Sequence, residues 1–315
     1  MMMKKFFMGI AAVAAAIMPA EAVEWMTDYE AALQRAEQEK KAVLVDFTGS
    51  DWCHFCIVLR RRVLDTPAFE AYGQDKFVYL EVDLPRANKI SAELRKQNNA
   101  LVSKYRVGGF PTVLVLDAEG HALGGFTGGM TRLPDVLTAL KAPLYVHGKL
   151  LEARHLQGAE KATALADAYL HYPDNYRSHN AWLREELQQL DPTGASGWQA
   201  TYAAEQQMAA MEQELNACVT DRERMMQTYE RYLAQALPGN RSRILGMKER
   251  YLNGIASLKL RTARTVEDVL EVKALQIQAA ECCENPEQRA EILRRIEEVY
   301  ARPEELLPAH IRKPR

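Results

Sequence analysis

Trp52-Cys53-His54-Phe55-Cys56 closely follows the apolar run Ala42-Val43-Leu44-Val45-Asp46-Phe47-Thr48. A short run rich in β-branched and aromatic residues reads as a buried strand. The cysteines then fall where the chain leaves that strand and enters a helix. Positions i and i+3 share a helix face, so the two sulfurs can meet. A helix N-terminus carries partial positive charge and favours a thiolate. A thiolate held beside a second thiol is what disulfide exchange requires. Cys53, at the helix start, is therefore the candidate nucleophile. Cys56, one turn inward, is the candidate resolving thiol. A permanent disulfide or a pair of inert core thiols is the alternative.

The pattern on either side predicts an alternating fold. Thr27-Asp28-Tyr29-Glu30 has the form of a capping box and opens a helix over 27–39. After the strand at 42–48 comes the cysteine helix, broken at Asp65-Thr66-Pro67, and a short helix carrying Phe69. A strand follows over 76–83, a helix over 91–105 and a β-branched strand over 112–116. Asp117-Ala118-Glu119-Gly120 is a turn that returns His121 to Phe126 antiparallel. Leu133, Val136, Leu137 and Leu140 mark a closing helix. A βαβ start followed by a hairpin and a helix gives an α/β domain with a mixed central sheet and helices on both faces.

Beyond Pro143 no strand pattern appears. Residues 143–315 are rich in Ala, Glu, Leu, Gln and Arg, with breaks at Tyr172-Pro173, Asp191-Pro192, Pro238-Gly239 and Asn285-Pro286. An all-α helical C-terminal domain is expected there. At the other end, Lys4 and Lys5 precede an apolar run from Phe6 to Ala20, and Ala20-Glu21-Ala22 offers small residues for cleavage. That is the form of a signal peptide over 1–22, too short for an ordinary membrane span. The expected organisation is signal peptide 1–22, α/β domain 23–142 and helical domain 143–315. The mature protein is expected to be periplasmic or extracellular, where disulfides persist.

A net charge of −2 gives no support to nucleic-acid binding. Five cysteines are too few for a disulfide-scaffolded fold, and the odd number leaves at least one unpaired within the chain. Cys218 reads as a small buried apolar residue. Cys282-Cys283 reads either as ordinary helix residues or as a vicinal or second redox pair. Cys53 and Cys56 supply two zinc ligands where four are needed, and no other paired motif completes a site. No metal and no cofactor are expected.

With strand, Trp-Cys-x-x-Cys and element order in place, the first 142 residues resemble the thioredoxin family. Phe47-Thr48-Gly49-Ser50-Asp51-Trp52-Cys53 is similar to the active-site segment of its exported subgroup. Val107-Gly108-Gly109-Phe110-Pro111-Thr112 resembles the family's cis-proline segment, which lies opposite the cysteines. The resemblance implies a cis Pro111, with Phe110, Pro111 and Gly109 presenting backbone to a client strand by β-augmentation. It also implies that Asp46, an acid within the apolar strand, is buried with a raised pKa and assists proton transfer at the inner cysteine. An exposed strand-end carboxylate is the other reading of Asp46. Trp52 is expected to pack against the active-site loop and modulate it.

His54 admits two readings: an imidazolium favouring the Cys53 thiolate, or a solvated side chain tolerated in the first turn. Phe55 lies at the rim or packs the helix. Arg60-Arg61-Arg62 reads as a solvated face.

The function implied is an exported thiol–disulfide oxidoreductase acting on protein thiols and disulfides, with an electron-donor or acceptor protein as partner. The direction of electron flow stays open, because family potentials span roughly −270 to −120 mV. The helical domain would offer a surface for a second copy or a partner. The alternative is a redox-sensing or passive scaffold protein whose helical domain recognises that partner.

Overall fold

A computed structural model of the chain describes residues 24–177, 180–307 and 311. The signal-peptide reading of residues 1–22 lies outside the described residues. The chain divides into two compact units, Met1–Ser196 and Gly197–Arg315.

Five strands form the sheet of the first unit: β1 (Trp25–Met26), β2 (Ala42–Thr48), β3 (Phe77–Asp83), β4 (Thr112–Leu116) and β5 (Ala122–Thr127), in the order β1-β3-β2-β4-β5. β1 and β2 run parallel to β3, while β4 is antiparallel to both β2 and β5. The sheet is therefore mixed, as the βαβ-then-hairpin pattern predicts. Two residues of β1 are too few to leave an alternation in the sequence.

β2 is central and every one of its residues is buried. A strand covered on both faces reads as a continuous apolar run. Its residues Val43, Val45 and Phe47 pack with Val78, Leu80 and Val82 of β3. That cluster also takes in Ala32 and Leu33 of α1 (Tyr29–Glu39) and Leu101 of α4 (Ala92–Lys104). Successive side chains alternate across a sheet, so Asp46 points to the opposite face. On that face lies α2 (His54–Leu59), continued by a π-helical turn over Arg60–Leu64. Thr66 then caps α3 (Pro67–Gly73), and Pro67 takes the N-terminal position where its missing N–H costs nothing.

After β5 the chain enters α5 (Leu133–Ala153), which runs through Pro143. α5 packs on β5 and on α6 (Gly158–His171). The approach is close at Gly124, where a Cβ would lie 2.6 Å from Pro143 Cγ and φ is +152°. α7 (Asp174–Arg177) and α8 (Ala181–Leu190) complete this unit. Residues beyond 143 are helical, and those up to Ser196 belong to the same compact unit as the sheet.

The second unit comprises α9 (Trp198–Ala217), α10 (Arg222–Ala234), α11 (Asn240–Thr262), α12 (Val266–Ala280), α13 (Pro286–Val299) and a 3-10 turn over Pro303–Leu306. Each helix packs on the next. One buried cluster, with Met208, Met211, Cys218, Tyr229 and Ile244, joins α9 to α11. Another, with Leu252, Val269, Val272, Leu275 and Ile296, joins α11 to α13. No helix among the described residues is long and apolar enough to cross a membrane.

Candidate active site

Cys53 is the N-cap of α2, with extended backbone, and its Sγ accepts a hydrogen bond from the Cys56 N–H at 3.2 Å. The cap places this sulfur where the helix's free N–H groups and dipole concentrate positive potential. Cys53 and Cys56 form a disulfide, with Cα atoms 5.2 Å apart. Cys53 is 7% exposed and Cys56 is 1% exposed, so an incoming sulfur meets Cys53 first.

The five residues before Cys53, Thr48 to Trp52, stitch its loop to the end of β3 and the chain that follows it. The Thr48 carbonyl accepts from the Leu84 N–H at 3.0 Å. The Ser50 N–H and hydroxyl both donate to the Asp83 carboxylate, at 2.9 and 2.6 Å. Asp51 accepts three backbone N–H bonds, from Arg86, Ala87 and Asn88, at 2.7–2.9 Å. Those bonds hold its carboxyl below the ordinary carboxylate range. Trp52 Nε1 donates to the Leu84 carbonyl at 2.9 Å. Gly49 permits this closure, since a Cβ there would sit 2.4 Å from Trp52 Cε2.

Trp52 also carries the connection across the site. Its ring meets Phe110 edge-on at 5.8 Å, and the Arg86 guanidinium lies 4.1 Å from its centroid. Phe110-Pro111 is a cis peptide. The Pro111 carbonyl accepts from the Gly128 N–H at 2.9 Å, tying a third loop to this segment. Thr112 Oγ1 bonds the Gly109 carbonyl at 2.8 Å and Thr127 Oγ1 at 2.9 Å. Gly129 lies against Phe55, which is 60% exposed; a Cβ at Gly129 would approach its ring to 2.8 Å. Phe55 therefore stands at the rim. His54 is exposed, its ring 5.6 Å from that of Phe55.

Asp46 is buried, 1% exposed, which excludes the exposed strand-end reading. Its Oδ2 accepts from Arg60 Nη1 at 3.4 Å, while Oδ1 has no hydrogen-bond partner. Burial pushes the carboxyl up to about 7, with Arg60 pulling it down and Glu81 and Asp65 adding to the rise.

Arg60 corrects the expectation of a solvated arginine face. Arg61 and Arg62 are exposed, but the Arg60 side chain is only 20% exposed. Besides Asp46 it contacts Asp65 at 3.0 Å and Glu81 at 3.3 Å, and its guanidinium lies 4.0 Å from the Trp25 ring centroid. The signal was present in the spacing: four residues after Cys56, Arg60 lies on the same helix face. The bonds of Ser50, Asp51 and Asp83 leave no local signal in the sequence, because their partners lie more than thirty residues away.

Cys218, Cys282 and Cys283 are free thiols, the first two buried. Asp117, Glu119 and His121, around the β4–β5 turn, bring their ligand-type atoms within 4.8 Å of one another. Turn hydrogen bonds explain part of that cluster: Asp117 Oδ1 accepts from the Glu119 and His121 N–H groups, and Oδ2 lies 2.8 Å from His121 Nδ1.

The thioredoxin-like family profile matches residues 24–118. Over 123 residues, 38% of this chain and 74% of the relative, the chain is 36% identical to the disulfide bond reductase DsbH of Chlamydia pneumoniae. The chain belongs to the thioredoxin-like family. The thioredoxin-related protein DsbJ of the same organism is 35% identical over 109 residues, and the chain spans only 31% of that relative. A solved DsbH oxidoreductase has 29% identity, with 45% of this chain and 94% of the other covered, at a TM-score of 0.36. This thioredoxin-like protein is a thiol–disulfide oxidoreductase, and Cys53–Cys56 is its Cys-x-x-Cys pair.

Proposed function

We propose that the protein is an exported reductase of protein disulfides. One observation carries the reading: a Cys53–Cys56 pair at a helix N-terminus, with the capping sulfur the more exposed of the two. The direction follows the relative named as a disulfide bond reductase. The basic start and apolar run of residues 4–20 support export.

In the reduced protein the Cys56 N–H and the helix dipole stabilise the Cys53 thiolate. That thiolate attacks one sulfur of the client disulfide. The client S–S bond breaks, the other client sulfur leaves as a thiolate and takes a proton, and a mixed disulfide forms on Cys53. The Cys56 thiol then passes its proton to the Asp46 carboxylate and attacks the Cys53 sulfur. The Cys53–Cys56 bond forms and the second client sulfur departs. Two electrons have moved to the client, and a donor protein dithiol restores the pair.

Asp46 suits its part because its carboxyl, held near about 7, is half ionised at neutral pH, and Oδ1 is free to take a proton. Phe110, Pro111 and Gly109 would present backbone to the client chain, Trp52 fixing their distance from Cys53 through its contact with Phe110. Protonated His54 would add positive charge beside Cys53.

Dithiothreitol-coupled insulin reduction tests the reading. The native protein accelerates precipitation of the insulin B chain, and Cys53→Ser abolishes the acceleration. Cys56→Ser accumulates a mixed disulfide on Cys53. Undiminished activity in the Cys53→Ser protein would overturn the proposal.

A further inference from the structure

Arg60 lies one helical turn beyond Cys56, on the same face, where the helix widens into a π-helical turn. The Asp65 N–H bonds the Arg60 carbonyl at 2.8 Å, five residues apart. Such local widening within an α-helix is frequently found at functional sites. It leaves Arg61 and Arg62 in solvent while Arg60 folds back over the sheet.

The guanidinium is shared unequally. Asp46 Oδ2 is its most distant acid partner at 3.4 Å, Asp65 is at 3.0 Å and Glu81 at 3.3 Å. Glu81 stands directly opposite Asp46 on β3, while β4 offers only Val113 at that register. The charged groups around Asp46 are thus Arg60 on the cysteine helix, Asp65 at its end and Glu81 on the neighbouring strand. Glu81 is itself pushed up by burial and pulled down by Arg60.

The geometry points to Arg60 as a positioning residue that sets how readily Asp46 accepts the Cys56 proton, with Glu81 and Asp65 holding part of its charge away. This rests on the reading of Asp46 as the proton acceptor. A guanidinium bonded to Asp46 alone would keep the carboxyl ionised and a poor base. With no guanidinium, burial would keep it protonated and unable to accept. Sharing the cation among three acids leaves Asp46 balanced between the two states near neutral pH. The second carboxylate oxygen, Oδ1, has no partner and faces no competing donor for the incoming proton.

Insulin reduction by the full-length protein, measured from about pH 5 to about pH 9 with the uncatalysed rate subtracted, tests this inference. The native protein should show an inflection near about 7. Asp46→Asn removes that inflection. Arg60→Met, which keeps a long apolar stem over Trp25, moves it up by about one pH unit, the low end for losing an adjacent opposite charge. Arg60→Lys returns it part of the way.

Glu81→Gln moves the inflection down, because it removes a negative neighbour and releases Arg60 to Asp46. Damage to folding cannot produce these opposite signs, and Glu81→Gln decides the matter should Arg60→Met fail to fold. An inflection lost in Asp46→Asn but unmoved in Arg60→Met and Glu81→Gln would overturn the role of Arg60 and leave Asp46 standing. An inflection that survives Asp46→Asn would overturn both.

Discussion

Replacing Asp46 with Asn should stabilise the oxidised protein, and by an amount that depends on pH. The folded carboxyl is raised from 3.8 to about 7, chiefly by burial. An acid raised in the folded state binds its proton more tightly there than in the unfolded chain. Between those two values the unfolded state holds fewer protons, so stability falls as pH rises. The cost is absent below about pH 4, grows through the interval and is complete above about pH 7. About three pH units at 1.36 kcal/mol each give an upper figure of about 4 kcal/mol.

Arg60 retains Asp65 and Glu81 when Asp46 is neutralised, so no buried cation is orphaned. An asparagine must still satisfy its amide, which reduces the gain to about 2–4 kcal/mol at about pH 8 and to less than about 1 kcal/mol at about pH 4. Urea unfolding followed by tryptophan fluorescence measures this, since Trp25, Trp52 and Trp182 all lie in the sheet-containing unit. A gain equal at both pH values, or a loss at about pH 8, would refute the burial of an ionisable Asp46. That a strand should carry so costly a residue at its centre fits the trade of stability for activity common at functional sites.

Two further outcomes follow from the stitched loop. Gly49→Ala places a methyl group 2.4 Å from an indole already fixed by Leu84 and Phe110, so a loss of about 1–3 kcal/mol in unfolding free energy is expected, with reduced insulin reduction. Asp51→Ala removes the acceptor of three N–H bonds, and amide exchange at Arg86, Ala87 and Asn88 should accelerate. The lowered carboxyl of Asp51 means the native protein loses the same protection as pH falls through and below the usual carboxylate range. Unchanged exchange at those three amides would show that the loop is held by something else.

Much of the sheet and of the sulfur chemistry is legible in residue order alone. The run 42–48 is apolar because β2 is covered on both faces, and the structure decides between the two readings of its one acid by burying Asp46. The cysteine pair announces itself because its partners are local: strand, turn and helix all lie between Ala42 and Leu59. What stayed hidden depends on distant contacts. Arg60 hides in a triple-arginine run, and its partners Asp46 and Glu81 lie on two strands that only the folded sheet makes neighbours. Ser50 and Asp51 look like loop polar residues until the chain after β3 folds against them. Helical periodicity identifies α5 to α8 as helices, but it does not say that they belong to the same compact unit as the sheet.

The most direct test of sulfur exchange at Cys53 is competitive alkylation. The fully reduced full-length protein, with its five cysteines, is treated with limiting iodoacetamide at about pH 6 and the label located by mass spectrometry. Label on Cys53 well ahead of Cys56, Cys218, Cys282 and Cys283 is the expected result. Label on Cys283 or at random, with Cys53 no faster than the rest, would contradict it.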